Sequence, residues 1–76
     1  MATDDRWAKM VKGILRAEMT RRGVTYDQLS SKLAEIGIQD TPVNIRNKVA
    51  RGHFSAMFFV QCLTVLGCRS MTLADD

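Results

Sequence analysis

Residues 42–51 contain the side chains best suited to recognising another molecule. At about 100° per residue, four of their polar side chains share one face of a helix, and no residue from 42 to 51 is an acid. These polar residues are Asn44, Asn47, Lys48 and Arg51. Arginine and asparagine are the side chains that pair bidentately with guanine and adenine in the major groove of DNA. The pattern predicts either a base-reading face or the ordinary solvated face of a surface helix.

The flanking residues indicate where this helix begins and ends. Thr41 can accept a backbone N–H of the first turn, and Pro42 fits the first helical position because an N–H is not needed there. Gly52 supplies a left-handed residue just beyond the last turn. On the side opposite the polar face, Ile45 and Val49 are spaced to pack into a core. We therefore expect a short helix with one buried and one exposed side.

Charge is unevenly distributed along the 76 residues. Residues 1–40 hold seven basic and six acidic side chains, whereas residues 41–74 hold four basic side chains and no acid. Two aspartates at the end bring the net charge to +3. Positive charge concentrated in the second half of the chain favours a polyanionic partner at that half.

The rest of the chain repeats the pattern of cap, apolar stripe and glycine, which predicts an all-α fold in a single domain, residues 1–76. Thr3, Thr25 and Ser55 are the expected N-caps of the other helices. The predicted helices cover residues 4–22, 26–36, 42–51 and 55–66. The predicted core is Trp7, Val11, Ile14, Leu29, Leu33, Ile45, Val49, Phe58, Cys62 and Leu66. The C-terminal tail, residues 68–73, is expected to form a short strand or an extended arm.

The fourth predicted helix, AMFFVQCLTVL, is apolar nearly all round. A surface helix normally has one apolar stripe, so more than one face of this helix should be buried. Either it is the central helix of the bundle, or one side faces another subunit. The second alternative predicts a homodimer through residues 55–66 and the C-terminal tail.

No catalytic or metal-binding constellation is recognisable. His53 is the single histidine, and Cys62 and Cys68 lack the spacing and partners of a zinc or redox site. The glycines do not form a phosphate-binding loop. The N-terminus lacks the features of a signal peptide, and the longest apolar stretch is too short to span a bilayer. We expect a cytoplasmic protein that is not an enzyme, with no cofactor, metal, small-molecule ligand or membrane contact.

The order of elements resembles the helix-turn-helix domains of phage repressors, the lambda-repressor-like type. The resemblance covers about residues 25–67 and is carried by TYDQLSSKL, NIRNKVARG and FFVQCLTVLG. It departs from the usual pattern in the turn, because Ile45 and Val49 lie four residues apart rather than three, and Gly37 comes about two residues early. The whole chain, with Trp7 ahead of the motif and FSAMFFVQCL behind it, also resembles a bacterial family of unknown function.

The repressor resemblance implies a small transcriptional regulator that binds double-stranded DNA with its third helix in the major groove. The residues expected nearest the bases are Asn44, Asn47 and Arg51. The residues expected at phosphates are Arg46, Lys48 and His53, with Thr25 and Gln28 meeting the backbone across the groove. Four or five phosphate contacts per monomer give weak affinity, which again favours a dimer. The alternative is a helical protein-interaction module, for homodimerisation or as an adaptor, that does not bind DNA.

Overall fold

A computed structural model of the chain describes residues 2–71 and residue 73. Four helices, connected in sequence, make up the fold: α1 (Ala2–Arg22), α2 (Tyr26–Glu35), α3 (Pro42–Arg51) and α4 (Ala56–Leu66). Both α1 and α2 pack against α3 and α4. The predicted all-α fold is confirmed, and three of the four helices lie within one residue of their predicted bounds.

Local capping explains where three of the helices begin. The Thr25 hydroxyl accepts the backbone N–H of Gln28, the Thr41 hydroxyl accepts that of Asn44, and the Ser55 hydroxyl accepts that of Phe58. Each side chain satisfies one of the N–H groups that a helix leaves without an internal partner. These three predicted N-caps are therefore confirmed.

The first helix begins earlier than predicted, at Ala2. Thr3 therefore lies inside α1, and its prediction as the N-cap was wrong. Alanine is the strongest helix former, and no glycine or proline stands between Ala2 and Asp4 to stop the helix from extending.

The core lies where all four helices meet. Its buried apolar residues are Leu15, Met19, Leu29, Leu33, Ile45, Val49, Phe58, Cys62, Leu63 and Leu66. Seven of the ten predicted core residues are among them. Burial of the Cys62 thiol raises its pKa to about 12, because the charged thiolate would lose its hydration there.

The other three predicted core residues lie on the N-terminal part of α1. Trp7 is 51% exposed, and Val11 and Ile14 are only partly buried. With 21 residues, α1 is about 30 Å long, roughly twice the length of α3 or α4, so its first turns extend beyond the helices that could cover them. The prediction of Trp7 as a core residue was wrong, and Leu15 and Met19 provide the central contacts of α1 instead.

Only one side of α4 is buried. Phe58, Cys62 and Leu66 are buried in the core, whereas Met57 is 73% exposed and Val60 is 59% exposed. Of the two predicted arrangements, the described residues do not make α4 a central helix covered all round. The described residues leave the side with Met57 and Val60 uncovered, and we call it the open side of α4.

The tail adds no strand in the part that the structure describes. Residues 68–71 and residue 73 have no regular secondary structure, while the rest of the predicted strand region, Thr72, lies outside the described residues. Met71 and Leu73 line a groove together with Met10 and Ile14 of α1. A short C-terminal strand is therefore not part of the described fold.

Within residues 2–71, no single helix is long and apolar enough to cross a membrane. The length and composition of a span are reached only when α3 and α4 are counted together across a bend of 117°.

Candidate nucleic-acid interface

The two sides of α3 differ sharply in burial and chemistry. Ile45 and Val49 are completely buried, whereas Asn44, Asn47 and Arg51 on the other side are exposed. The helical spacing places Asn47 nearly opposite the buried pair, with Asn44 and Arg51 to one side of it. We call Asn44, Asn47 and Arg51 the reading face. The predicted side of the helix is confirmed for these three residues.

The reading face has hydrogen-bonding capacity that the fold does not use. Among the residues that the structure describes, the side chains of Asn44, Asn47 and Arg51 make no hydrogen bond or ion pair. The helix beneath them is fixed by its buried side and by the caps at both ends. Donors and acceptors held on a rigid element are suited to specific recognition of a ligand, because the backbone that carries them loses little conformational freedom on binding.

Lys48 was predicted to share this exposed polar face, but the structure places its ammonium elsewhere. Its Nζ lies 2.6 Å from Oδ2 of Asp40 and 4.4 Å from the centre of the Phe58 ring. Lys48 lies at the edge of the polar face. Its long side chain reaches back to the carboxylate of Asp40, which lies between α2 and α3. The ion pair gives Lys48 a role in the fold, while its role as a phosphate contact stays a prediction.

This pairing predicts that Lys48→Ala lowers stability. The Asp40 side chain is only 9% exposed, so removing the ammonium leaves a nearly buried carboxylate without its partner. We expect the free energy of unfolding, measured in urea, to fall by about 1–2 kcal/mol, less than for a fully buried pair because Lys48 is partly hydrated. Arg51→Ala, on the same helix but exposed, is the control and should change stability by about 0.5 kcal/mol or less. Equal effects of the two substitutions would contradict the role of the ion pair.

The connection between α2 and α3 has six residues, 36–41, and is ordered by specific contacts. The Ser30 hydroxyl donates to the Asp40 carbonyl at 2.6 Å, and the Ile38 N–H donates to the Leu33 carbonyl at 3.0 Å. With the Asp40–Lys48 ion pair, these bonds tie the connection to both helices. The predicted longer turn is confirmed, and its contacts hold α3 in one orientation relative to α2.

Arg46 flanks the reading face on the side of α2. It is exposed, and its guanidinium carbon lies 5.6 Å from the centre of the Tyr26 ring, within range of a cation–π contact. The two residues line a cleft of about 350 Å³ together with Arg16 of α1. Sequence reasoning missed Arg16, since its position beside α3 depends on how α1 crosses the bundle.

Thr25 and Gln28 lie exposed at the start of α2 and form a reciprocal cap. The Gln28 N–H donates to the Thr25 hydroxyl at 3.1 Å, and the Thr25 N–H donates to Oε1 of Gln28 at 2.9 Å. The cap uses the amide oxygen of Gln28 and leaves its NH₂ group available as a donor. The first turn of a helix also attracts anions, although Asp27 adds a negative charge here.

The loop after α3 is fixed against α1 and presents His53 to solvent. Nζ of Lys12 donates to the carbonyl of Ala50 at 3.1 Å, and Gly52, with φ of +69°, is buried against Ala8. His53 itself is exposed and lines an open cavity with Trp7. The predicted phosphate contacts are therefore both accessible to solvent, Arg46 on α3 itself and His53 in the loop after its C-terminal end.

Together these features define a small four-helix domain. The exposed side of α3 carries amide and guanidinium groups that have no hydrogen-bond partner among the described residues. Residues 7–71 match the family model DUF6471, a domain of unknown function, and the chain belongs to this family. The predicted resemblance to a family of unknown function is consistent with that match, which does not extend to phage repressors. Comparisons with curated proteins and with solved structures give no match.

Proposed function

We propose that this domain binds double-stranded DNA as a small transcriptional regulator of the helix-turn-helix class, with α3 in the major groove. The observation that carries the proposal is the reading face itself. Asn44, Asn47 and Arg51 are exposed together on a helix whose opposite side is completely buried. Amide and guanidinium groups are the donors and acceptors that match adenine and guanine edges in that groove.

Contacts to phosphates would orient α3 on the duplex. Arg46 is exposed on α3, His53 is exposed in the loop after α3, and the capped start of α2 carries Thr25 and Gln28. Contacts of this kind fix the register of a protein on DNA, whereas base-edge contacts supply the specificity. Arg16 lies in the same cleft as Arg46 and adds a second positive charge there, against the one negative charge of Asp27.

Salt dependence of DNA binding tests this proposal. Fluorescence anisotropy of a labelled duplex of random sequence, at about 50 mM salt, should report binding that weakens steadily as salt is raised. When the logarithm of the association constant is plotted against the logarithm of the salt concentration, the slope should be about −1 for each phosphate contact. A few such contacts are expected per protomer. A wild-type protein that binds no duplex even at low salt would contradict the proposal.

We further propose that the domain acts as a homodimer through the open side of α4. Met57 and Val60 are exposed there, and residues 55–66 contain no charged side chain that would repel its own copy across a two-fold axis. Met71 and Leu73 of the tail are also exposed, in a groove against α1, and are the apolar residues that the tail could add to such a contact. A dimer would double the number of phosphate contacts and place two α3 helices on one duplex.

The dimer predicts that Met57→Glu and Val60→Glu abolish self-association. Burying an unpaired carboxylate in an apolar interface is strongly unfavourable, so both variants should sediment as monomers at a concentration where the wild type is a dimer. Val43→Glu, equally exposed but on α3, is the control and should leave the sedimentation coefficient unchanged in the absence of DNA. A wild type that is monomeric at high micromolar concentration would contradict the proposed dimer.

The open side of α4 also favours the second candidate function, a protein-interaction module that does not bind DNA. The two candidates differ in which helix the partner contacts, α3 or α4. Loss of all partner binding on Met57→Glu, together with no affinity for DNA at low salt, would favour the interaction module.

A further inference from the structure

An apolar side chain, Val43, lies beside the hydrogen-bonding groups of the reading face. It is 58% exposed in the first turn of α3, immediately before Asn44 and one turn before Asn47. The helical spacing places it on the solvent side, away from Ile45 and Val49. Val43 is therefore not part of the hydrophobic core.

The helix itself gains little from a valine at this position. Valine is a weaker helix former than alanine, because its branched Cβ loses freedom against the preceding turn. An exposed valine also leaves most of its apolar surface in water. Packing of the fold therefore does not require an apolar side chain at position 43, whereas contact with an apolar group of a ligand would bury it.

The major groove offers an apolar group that a valine can contact. Each base pair presents hydrogen-bonding groups there, and thymine adds its C5-methyl group. Residues in the first turns of a recognition helix are the ones that reach base edges. Two methyl groups on Val43 can enclose a thymine methyl and remove it from water.

We propose that Val43 contacts the 5-methyl group of a thymine and thereby helps to determine the sequence that α3 reads. This inference rests on the proposed DNA binding and deepens it. The rise from Val43 to Asn47 is about 6 Å, and base pairs are spaced by about 3.4 Å, so the thymine lies within about two base pairs of the base that Asn47 reads.

The test uses a duplex selected by the wild-type protein from a random-sequence pool. Each thymine of the selected site is then replaced singly by deoxyuridine, which removes the 5-methyl group and keeps base pairing. For the wild type, one such replacement in each half-site should weaken binding by about fourfold, the value for taking one methyl-sized group out of water. Val43→Ala should bind the thymine duplex more weakly and should have lost this sensitivity to deoxyuridine.

Val60→Ala is the matched control, since it shortens a valine that is equally exposed but lies on α4. Whatever its effect on overall affinity, it should keep the wild-type response to deoxyuridine. Circular dichroism should show that Val43→Ala remains helical, as alanine favours helix.

Two results would overturn the inference while the proposed function stands. The wild type could bind its selected site with no sensitivity to any deoxyuridine replacement, or Val43→Ala could keep the full sensitivity. Failure of the proposed function is distinct, because no duplex would then be enriched from the pool, and the inference would fall with it.

Discussion

Gly52→Ala is expected to destabilise the domain by about 3 kcal/mol, from two effects that act together. Gly52 ends α3 at φ of +69°, a left-handed conformation that costs a residue with a Cβ about 1 kcal/mol or more. A Cβ added there would also lie 2.9 Å from both the carbonyl carbon and the Cβ of Ala8 in α1. Backbone cannot move aside as a flexible side chain can, so overpacking adds about 1–3 kcal/mol.

Gly23→Ala separates these two effects and is the control. Gly23 has φ of +67°, almost the same as Gly52, but a Cβ added there would meet no atom within 4 Å. Urea unfolding should therefore show a loss of about 1 kcal/mol for Gly23→Ala and about three times as much for Gly52→Ala. Equal losses would contradict the close contact between α1 and the end of α3.

The second large effect is expected in DNA binding by variants of the reading face. Asn47→Ala and Arg51→Ala should each weaken binding to the selected duplex by about 1–3 kcal/mol while barely changing affinity for random-sequence DNA. The reason is that each side chain is proposed to pair with a base edge. Both residues are exposed and outside the core, so stability should change by about 0.5 kcal/mol or less.

Arg46→Ala is the comparison variant for this prediction. As a proposed phosphate contact, Arg46 should contribute equally to selected and random duplexes, and its removal should lower the salt slope by about one unit. Lys48, which the sequence also predicts as a phosphate contact, is unsuitable for this comparison because its ammonium is paired with Asp40. If Asn47→Ala weakened both kinds of duplex equally, α3 would be a basic surface and not a reader of bases.

Features that depend on neighbouring residues could be predicted from the sequence. Thr25, Thr41 and Ser55 cap their helices through bonds that span three residues, and such bonds are encoded locally. The burial of Ile45 and Val49 follows in the same way from helical periodicity. The same periodicity predicts that the reading face, on the opposite side of α3, is exposed.

Features that depend on how the helices are arranged could not be predicted in this way. Trp7 fits an apolar stripe, but its burial depends on whether another helix extends far enough to cover it, and none does among the described residues. Lys48 fits a polar face, but its long side chain reaches an acid outside the helix. The positions of Arg16 and Arg46 beside one cleft likewise follow from the crossing of α1 and α3.

The most direct test of α3 as the DNA-contacting surface is an NMR titration of the ¹⁵N-labelled protein with its selected duplex. The largest amide shifts are expected at Val43, Asn44, Asn47 and Arg51, with smaller shifts at the start of α2. Shifts confined to the open side of α4, around Met57 and Val60, or an unchanged spectrum at low salt, would contradict DNA recognition by α3.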